Sequence, residues 1–442
     1  MGGTVRFSRT LATTVILAAA AVTLAVISAA AAQSAKPKAD DVGITASEIH
    51  LAVVADVDTP IQPGLFQASV DAVKAWAKVV NAGGGIAGRK VVIDFIDSKL
   101  NPNETRNATI TACANDFAMV GGEALFLNNV SDMTACQNSA GQSVGIPDVP
   151  GLALDPAEQC SPVTYVIIGL GPYCKTKDQH PQTYIAPQGD ALYYLKTNKD
   201  LHGVWTLPAD LKSTKNGLIP TYTAAVNLGV KKDGAGFYDV FQRDPQSAMT
   251  PVVQAIKQSN STFAYSGSNK MLDMRKEATL QGVTSVKVWG CTQACYSQAF
   301  VNQGGTDVEG TQSVITSLPF YTEYKLNPTL KKLVAAVGGI DKVDSNAMAS
   351  WTAALLFQDA ATKATANGGT LTRQSLFDAL KQEHAFTANG IIGPTDVANH
   401  MPPNCIVMTQ VKNGKLVRTY PKKPGTFDCN KKNLVEIKMD LS

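Results

Sequence analysis

The chain has 442 residues, 45% of them hydrophobic and 17% charged, with a formal net charge of +3. That length holds two domains of ordinary size, and that composition excludes an intrinsically disordered chain. Lysines and arginines are scattered, with only short pairs such as Lys422-Lys423 and Lys431-Lys432, which excludes the electrostatic footprint of a nucleic-acid binder.

At the amino end, Arg6 and Arg9 precede a continuous apolar and small-residue stretch from Leu11 to Ala32, closing on Ala30-Ala31-Ala32. A basic start, an apolar middle and a small-x-small end describe a secretory signal removed before Gln33. An uncleaved anchor is the alternative, since about 20 apolar residues span a bilayer. The many alanines and the polar lead at Lys36-Pro37 favour cleavage. No cysteine closes the run, so no lipid anchor is expected, and the mature chain is expected in the periplasm or cell-envelope space. All eight cysteines lie beyond this segment, which suits export. In chain order they suggest neighbour pairing, Cys113–Cys136, Cys160–Cys174, Cys291–Cys295 and Cys405–Cys429, with buried free thiols as the alternative.

The apolar run His50 to Asp58 reads as a buried strand. Val70, Val73, Trp76, Ala77 and Val80 recur at three- and four-residue steps, predicting an amphipathic helix over Leu65 to Asn81. RKVVIDFID gives a second strand, Asn101-Pro102 introduces a helix from Glu104 to Asn115, and FAMVGG gives a third strand. A helix is expected near Val130 to Gln142, then the extended VGIPDV. Strand–helix alternation of this kind is the mark of an α/β unit with a mainly parallel sheet.

Alternation restarts after an irregular region, Pro156 to Pro187. GVWTLPAD, AGFYDVF, STFAYSG and SVKVWGC read as strands, with helices near Gly217, Gln246, Lys270 and Gln293. EGTQSVITSLPF is extended, and two helices follow at Ala347 to Thr365 and Thr372 to Gln382. The tail reads as strands with a hairpin turn at Asn413-Gly414.

Two motifs invite an enzymatic reading. Gly83, Gly85 and Gly88 match the dinucleotide pattern G-x-G-x-x-G, but they close a helix and lead into a strand, the reverse of the order a pyrophosphate site needs. They read as turn residues with positive φ. Gly141, Ser143 and Gly145 match G-x-S-x-G, yet a nucleophile elbow needs a strand entering the serine and a helix leaving it. The five histidines show no metal spacing, and the Cys291/Cys295 pair of an exported chain fits a disulfide better than a zinc site. No catalytic or metal residue is assigned, and no cofactor is expected.

Taken together, VGITASEIHLAVVADVD, the helix ending NAGGGIAGRKVVIDFID, FAMVGG, VGIPDVP, GVWTLPADLKSTKNG, FTANGIIGPTDV and VKNGKLV are similar in kind and order to the type I solute-binding proteins of ABC importers. The nearest group is the branched-chain amino-acid (Leu/Ile/Val) binding family, and the resemblance covers most of residues 43–420. It implies a two-lobed periplasmic-binding-protein type I fold, each lobe a mainly parallel sheet flanked by helices. Three crossover segments are placed near Ile167–Gly171, Ile315–Leu318 and Ile391–Gly393. The implied division is signal peptide 1–32, linker 33–48, lobe 1 at 49–168 plus 316–391, and lobe 2 at 169–315 plus 392–442. It further implies a non-enzymatic monomer that holds a small-molecule ligand between its lobes and delivers it to a membrane permease.

The ligand positions of amino-acid binders transfer only in part. Small hydroxyl residues after the third strand are replaced by Glu123, Ala124, Leu125 and Phe126. The acid expected after the last core strand of the second lobe is replaced by Thr292, followed by Gln293. Aromatic clamp positions fall at Thr214 and Asn269. Further candidates gather at loop ends: Asp56, Asp58 and Gln62 after the first strand, Asp148, Asp210, and the aromatics Tyr238 and Phe241. This mixture suits a polar or cationic solute with an apolar part. A ligand sensor coupled to a signalling partner is the second reading and an exported hydrolase the third.

Overall fold

The apolar run after His50 forms strand β1 (Glu48–Ala55), fully buried from Leu51 to Ala55, as the middle of a parallel sheet requires. It is seen in a computed structural model that describes residues 1–3, 40–59, 62–169, 171, 174 and 181–441. The signal segment expected at Leu11 to Ala32 lies outside those residues, as do the linker residues before Asp40. Among the described residues no helix is long and apolar enough to cross a membrane.

With β1, strands β2 (Lys90–Asp97), β3 (Ala118–Val120) and β4 (Asp148–Val149) make a parallel sheet in the order β2-β1-β3-β4. The steps from β1 to β2 and from β2 to β3 run in opposite directions across it. Right-handed crossovers therefore put helices Gln67–Ala82 and Pro102–Asn115 on opposite faces. The first is covered in turn by the 20-residue helix Ser345–Ala364. Trp76 meets Phe357 edge-on at 6.2 Å and donates its indole N–H to Gln358 at 3.0 Å, so two distant parts of the chain share one core.

Strand β5 (Gln182–Pro187) leads to helix Gly189–Thr197. Then β6 (His202–Pro208), β7 (Lys231–Val240), β8 (Phe263–Ser266), β9 (Val288–Cys291) and β10 (Gln312–Ile315) form a parallel array, which β11 (Val407–Lys412) and β12 (Lys415–Tyr420) extend with antiparallel pairing. The order is β12-β11-β10-β9-β8-β6-β7. β13 (Leu434–Met439) returns to pair antiparallel with β5. In both large sheets the first strand lies between the second and the third, so each has a topological switch point, at β1/β3 and at β6/β8. Ligands bind outside the carboxyl ends of strands at such points.

Two expected crossovers run side by side. Ser317 bridges Ile392, and Leu318 N–H donates to the Ile391 carbonyl at 2.8 Å. In the third, Leu170 lies outside the described residues. The eight cysteines form four disulfides in neighbour order, Cys113–Cys136, Cys160–Cys174, Cys291–Cys295 and Cys405–Cys429.

Some local expectations need correction. The helix expected over Val130 to Gln142 is a single turn, Ser131–Thr134. Beyond it Cys136 is tied to Cys113, and the Asn138 side chain accepts the Ala140 and Gln142 N–H groups, competing with helix continuation. Ser143 stands exposed in the ladder that follows, bridged to Gln137, with no elbow around it. In the glycine run, Gly84, Gly85 and Gly88 have φ of +100°, +80° and +75°, whereas Gly83 is the C-cap at −86°. Positive φ thus begins one residue later than Gly83.

Candidate functional site

Segments leaving both switch points line one cleft of about 700 Å³. From the four-stranded lobe come Gln62, Leu65 and Phe66 after β1, Leu100 after β2, Leu125 after β3, and Leu152 and Leu154 after β4. From the larger sheet come Asp210, Leu211 and Thr214 after β6, Gln242 after β7, Gly267, Ser268 and Asn269 after β8, and Thr292 and Gln293 after β9. One wall is therefore mostly leucine, and the wall opposite is mostly hydroxyl, amide and carboxylate. The segment from Asp341 to Asn346 closes a side of the cleft, where Ser345 donates to the Gln293 carbonyl at 3.0 Å across the lobes.

Of the helices that begin here, Gln67–Ala82, Gly189–Thr197, Lys212–Leu228 and Met271–Leu280 start without a side-chain cap, whereas Gln298–Gly304 and Ser345–Ala364 are capped by Ser297 and Asp344. Away from the cleft both kinds occur: Asn101 accepts from Asn103 and Glu104 and Asn327 from Thr329 and Leu330, while Thr250–Ser259 starts uncapped. An uncapped first turn leaves N–H groups that can be satisfied by an oxygen of a bound molecule.

Of the residues singled out in the sequence, Gln62, Leu125, Asp210, Thr214, Asn269, Thr292 and Gln293 line the cleft. Thr292 is held by donating to the Gly267 carbonyl at 3.1 Å, and Asp210 accepts the Gln242 N–H at 3.1 Å. The remainder stand elsewhere, each for a physical reason. Asp56 is fully buried and accepts from Ser98 Oγ, Leu100 N–H and Leu125 N–H at 2.6, 2.7 and 2.8 Å, tying together the loops that carry two cleft leucines. Asp58 points to solvent beside Asp97, whose carboxylate accepts the Asp58 N–H at 3.0 Å.

Glu123 is turned inward beneath the cleft floor, with Ser350 Oγ at 3.4 Å and its other oxygen unpartnered. Burial, helped by the nearby Asp344 charge, pushes its carboxyl up to about 8. Ala124 is buried behind it. Asp148 is buried in β4, accepting from Thr164 Oγ1 at 3.0 Å, and burial pushes it up to about 7. Tyr238 turns its hydroxyl back to the Ala235 N–H at 3.3 Å, and Phe241 is 43% exposed. Phe126 lines a separate cavity of about 420 Å³ with Asn128, Tyr184, Lys212 and Asn216.

Sequence reasoning missed Leu65, Phe66, Leu100, Leu152 and Leu154, which form the apolar wall. Each follows a strand end, so the loop rule that selected the acids and aromatics could have found them; among aliphatic side chains only Ala124 and Leu125 were singled out. Asp190, Tyr265 and Asp344 were also missed. Asp190 lies past the irregular region whose strand and helix have no clear periodicity.

A family model described as periplasmic binding protein matches residues 48–415. Comparison with curated proteins gave no match. Among solved structures, a leucine binding protein from Thermotoga maritima is similar at 17% identity and a TM-score of 0.60, with 84% of this chain and 97% of that one covered. A fatty acid ABC transporter substrate-binding protein from Thermomonospora curvata aligns at 17% identity and 0.65, over 87% and 97%. A branched-chain amino acid transporter substrate-binding protein from Streptococcus pneumoniae, in complex with isoleucine, aligns at 14% and 0.61, over 84% and 100%. These neighbours share the two-lobed architecture. With the family match running from β1 into β12, the chain belongs to the periplasmic binding protein family.

Proposed function

We propose that this protein captures a small amphipathic solute, amide-like or amino-acid-like, in the cleft between its lobes and hands it unaltered to the permease of an ABC importer. The observation that carries the reading is the two-sided lining, leucines from one lobe facing uncapped helix starts and polar side chains from the other. An apolar body loses water against Leu65, Leu100, Leu125 and Leu154, worth about 25 cal/mol per Å² buried. A carbonyl or amide oxygen takes N–H groups of the uncapped first turn of Lys212–Leu228. Such a molecule touches both lobes only when they approach, so it favours the closed arrangement by its differential affinity.

Two neighbours are described as binding proteins for fatty acids and for branched-chain amino acids. Here the lining has four aspartates, Asp190, Asp210, Asp341 and Asp344, and one lysine, Lys342. That balance opposes a free carboxylate and favours a neutral oxygen. Thr292, at the place where a ligand's ammonium would meet an acid, carries no charge.

A thermal-shift panel of amino acids, amides, polyamines, aromatic acids and medium-chain fatty acids tests the proposal, because a ligand of the folded state raises Tm by mass action. An amide with an apolar chain should give a saturable shift and be recovered chemically unchanged, while Leu, Ile and Val at millimolar concentration should give none. Turnover of any ester or amide that Ser143→Ala abolishes would sink the binding-protein reading.

A further inference from the structure

Asp190 sits in the first turn of helix Gly189–Thr197 and lines the cleft, yet it is only 8% exposed. Its carboxylate accepts the Tyr265 hydroxyl at 2.8 Å and the Ala191 N–H at 2.8 Å. That uses roughly half of a carboxylate's acceptor capacity of about four lone-pair sites. Tyr265, Tyr194 and Tyr222 surround it, and no basic group among the described residues offsets its charge. Burial accordingly pushes the carboxyl above its ordinary range. A buried anion without a counter-cation is strongly disfavoured, an arrangement that a bound cation would relieve.

The neighbouring helix face fits an elongated guest. Thr214 and Thr221 lie two turns apart on Lys212–Leu228, about 10 Å by helix geometry, with Leu218 between them. All three line the cleft, and both threonine hydroxyl oxygens are buried without a partner. The same cleft therefore carries a buried carboxylate and, along one helix, hydroxyl, leucine and hydroxyl in succession.

Resting on the proposed capture of an amphipathic amide, we infer that Asp190 anchors a protonated amine carried by that solute. The position is distinct from Thr292, where amino-acid binders of the resembling group place their acid. The ligand class becomes an amine-bearing amide with an apolar spacer.

The test compares hexanamide with 6-aminohexanamide, identical but for the terminal ammonium, by thermal shift and calorimetric titration. In the wild type the amine should strengthen binding about tenfold or more, the usual gain from a charge-assisted hydrogen bond. In Asp190→Asn the two probes should bind alike, whereas Asp58→Asn, which removes an exposed acid off the cleft, should keep the gain. If Asp190→Asn fails to fold, Asp190→Ser, equally uncharged and smaller, should likewise make the two probes bind alike. Equal binding of the probes to the wild type, a gain that survives Asp190→Asn, or failure of both probes to bind would overturn the Asp190 anchor. Hexanamide binding without an amine gain leaves the capture proposal standing, and the wider panel judges that proposal separately.

Discussion

At the scale of single residues, the buried acids of the first lobe divide by what partners them. Asp56 satisfies three donors, so Asp56→Ala leaves a hydroxyl and two N–H groups without their acceptor and should cost about 3 kcal/mol. Urea denaturation reads that loss, and a change below about 0.5 kcal/mol would contradict the tie between the loops. Glu123 is the opposite case. Its carboxyl is pushed up to about 8 in the fold against an ordinary 4.5. Below pH 4.5 both folded and unfolded states hold the proton. Between pH 4.5 and about 8 only the folded state does, so stability falls as pH rises through that window. Glu123→Gln removes the penalty: its Tm should match the wild type near pH 4.5 and exceed it at pH 9. A Tm difference independent of pH would refute a buried, protonated Glu123. Residue types and loop positions foretold where acids would cluster. They did not foretell which acids turn inward, because that depends on Ser350 and Ser98 arriving from elsewhere in the chain.

Among elements, the glycine turn between Gln67–Ala82 and β2 gives a graded test. A Cβ on Gly85 would stand 1.9 Å from the Arg89 carbonyl oxygen at φ +80°, whereas Gly84 at +100° has open space around it. Gly85→Ala should cost about 3 kcal/mol or more and Gly84→Ala about 1 kcal/mol, the strain of positive φ alone. Equal costs would remove the steric argument. Loss of the Cys113–Cys136 link by paired serine substitution should cost about 3 kcal/mol, since the closed loop spans 23 residues. Strands and helices with clean periodicity, β1 and Gln67–Ala82 above all, were legible from hydrophobic spacing. β5, β13 and Gly189–Thr197 were not. β5 and β13 pair with each other at long range, and their alternating, partly exposed sequences resemble loop. The arginine at the start of Arg373–Leu380 was equally silent in the sequence. Folded, it donates to the Cys113, Asp116, Phe117 and Gln137 carbonyls, pinning that helix to the first lobe.

For the whole molecule, the repeated switch-point topology brings two sets of strand ends to one cleft, and the crossovers at Ser317 and Ile392 lie side by side as a hinge would need. Function then reduces to whether a guest draws the lobes together. The direct measurement is small-angle X-ray scattering of the folded protein, free and saturated with a solute that calorimetry shows to bind one to one. The account predicts a smaller radius of gyration in the bound form and recovery of the solute with its mass unchanged. A solute that saturates the protein while leaving the radius of gyration where it was, or that comes back cleaved, would contradict it.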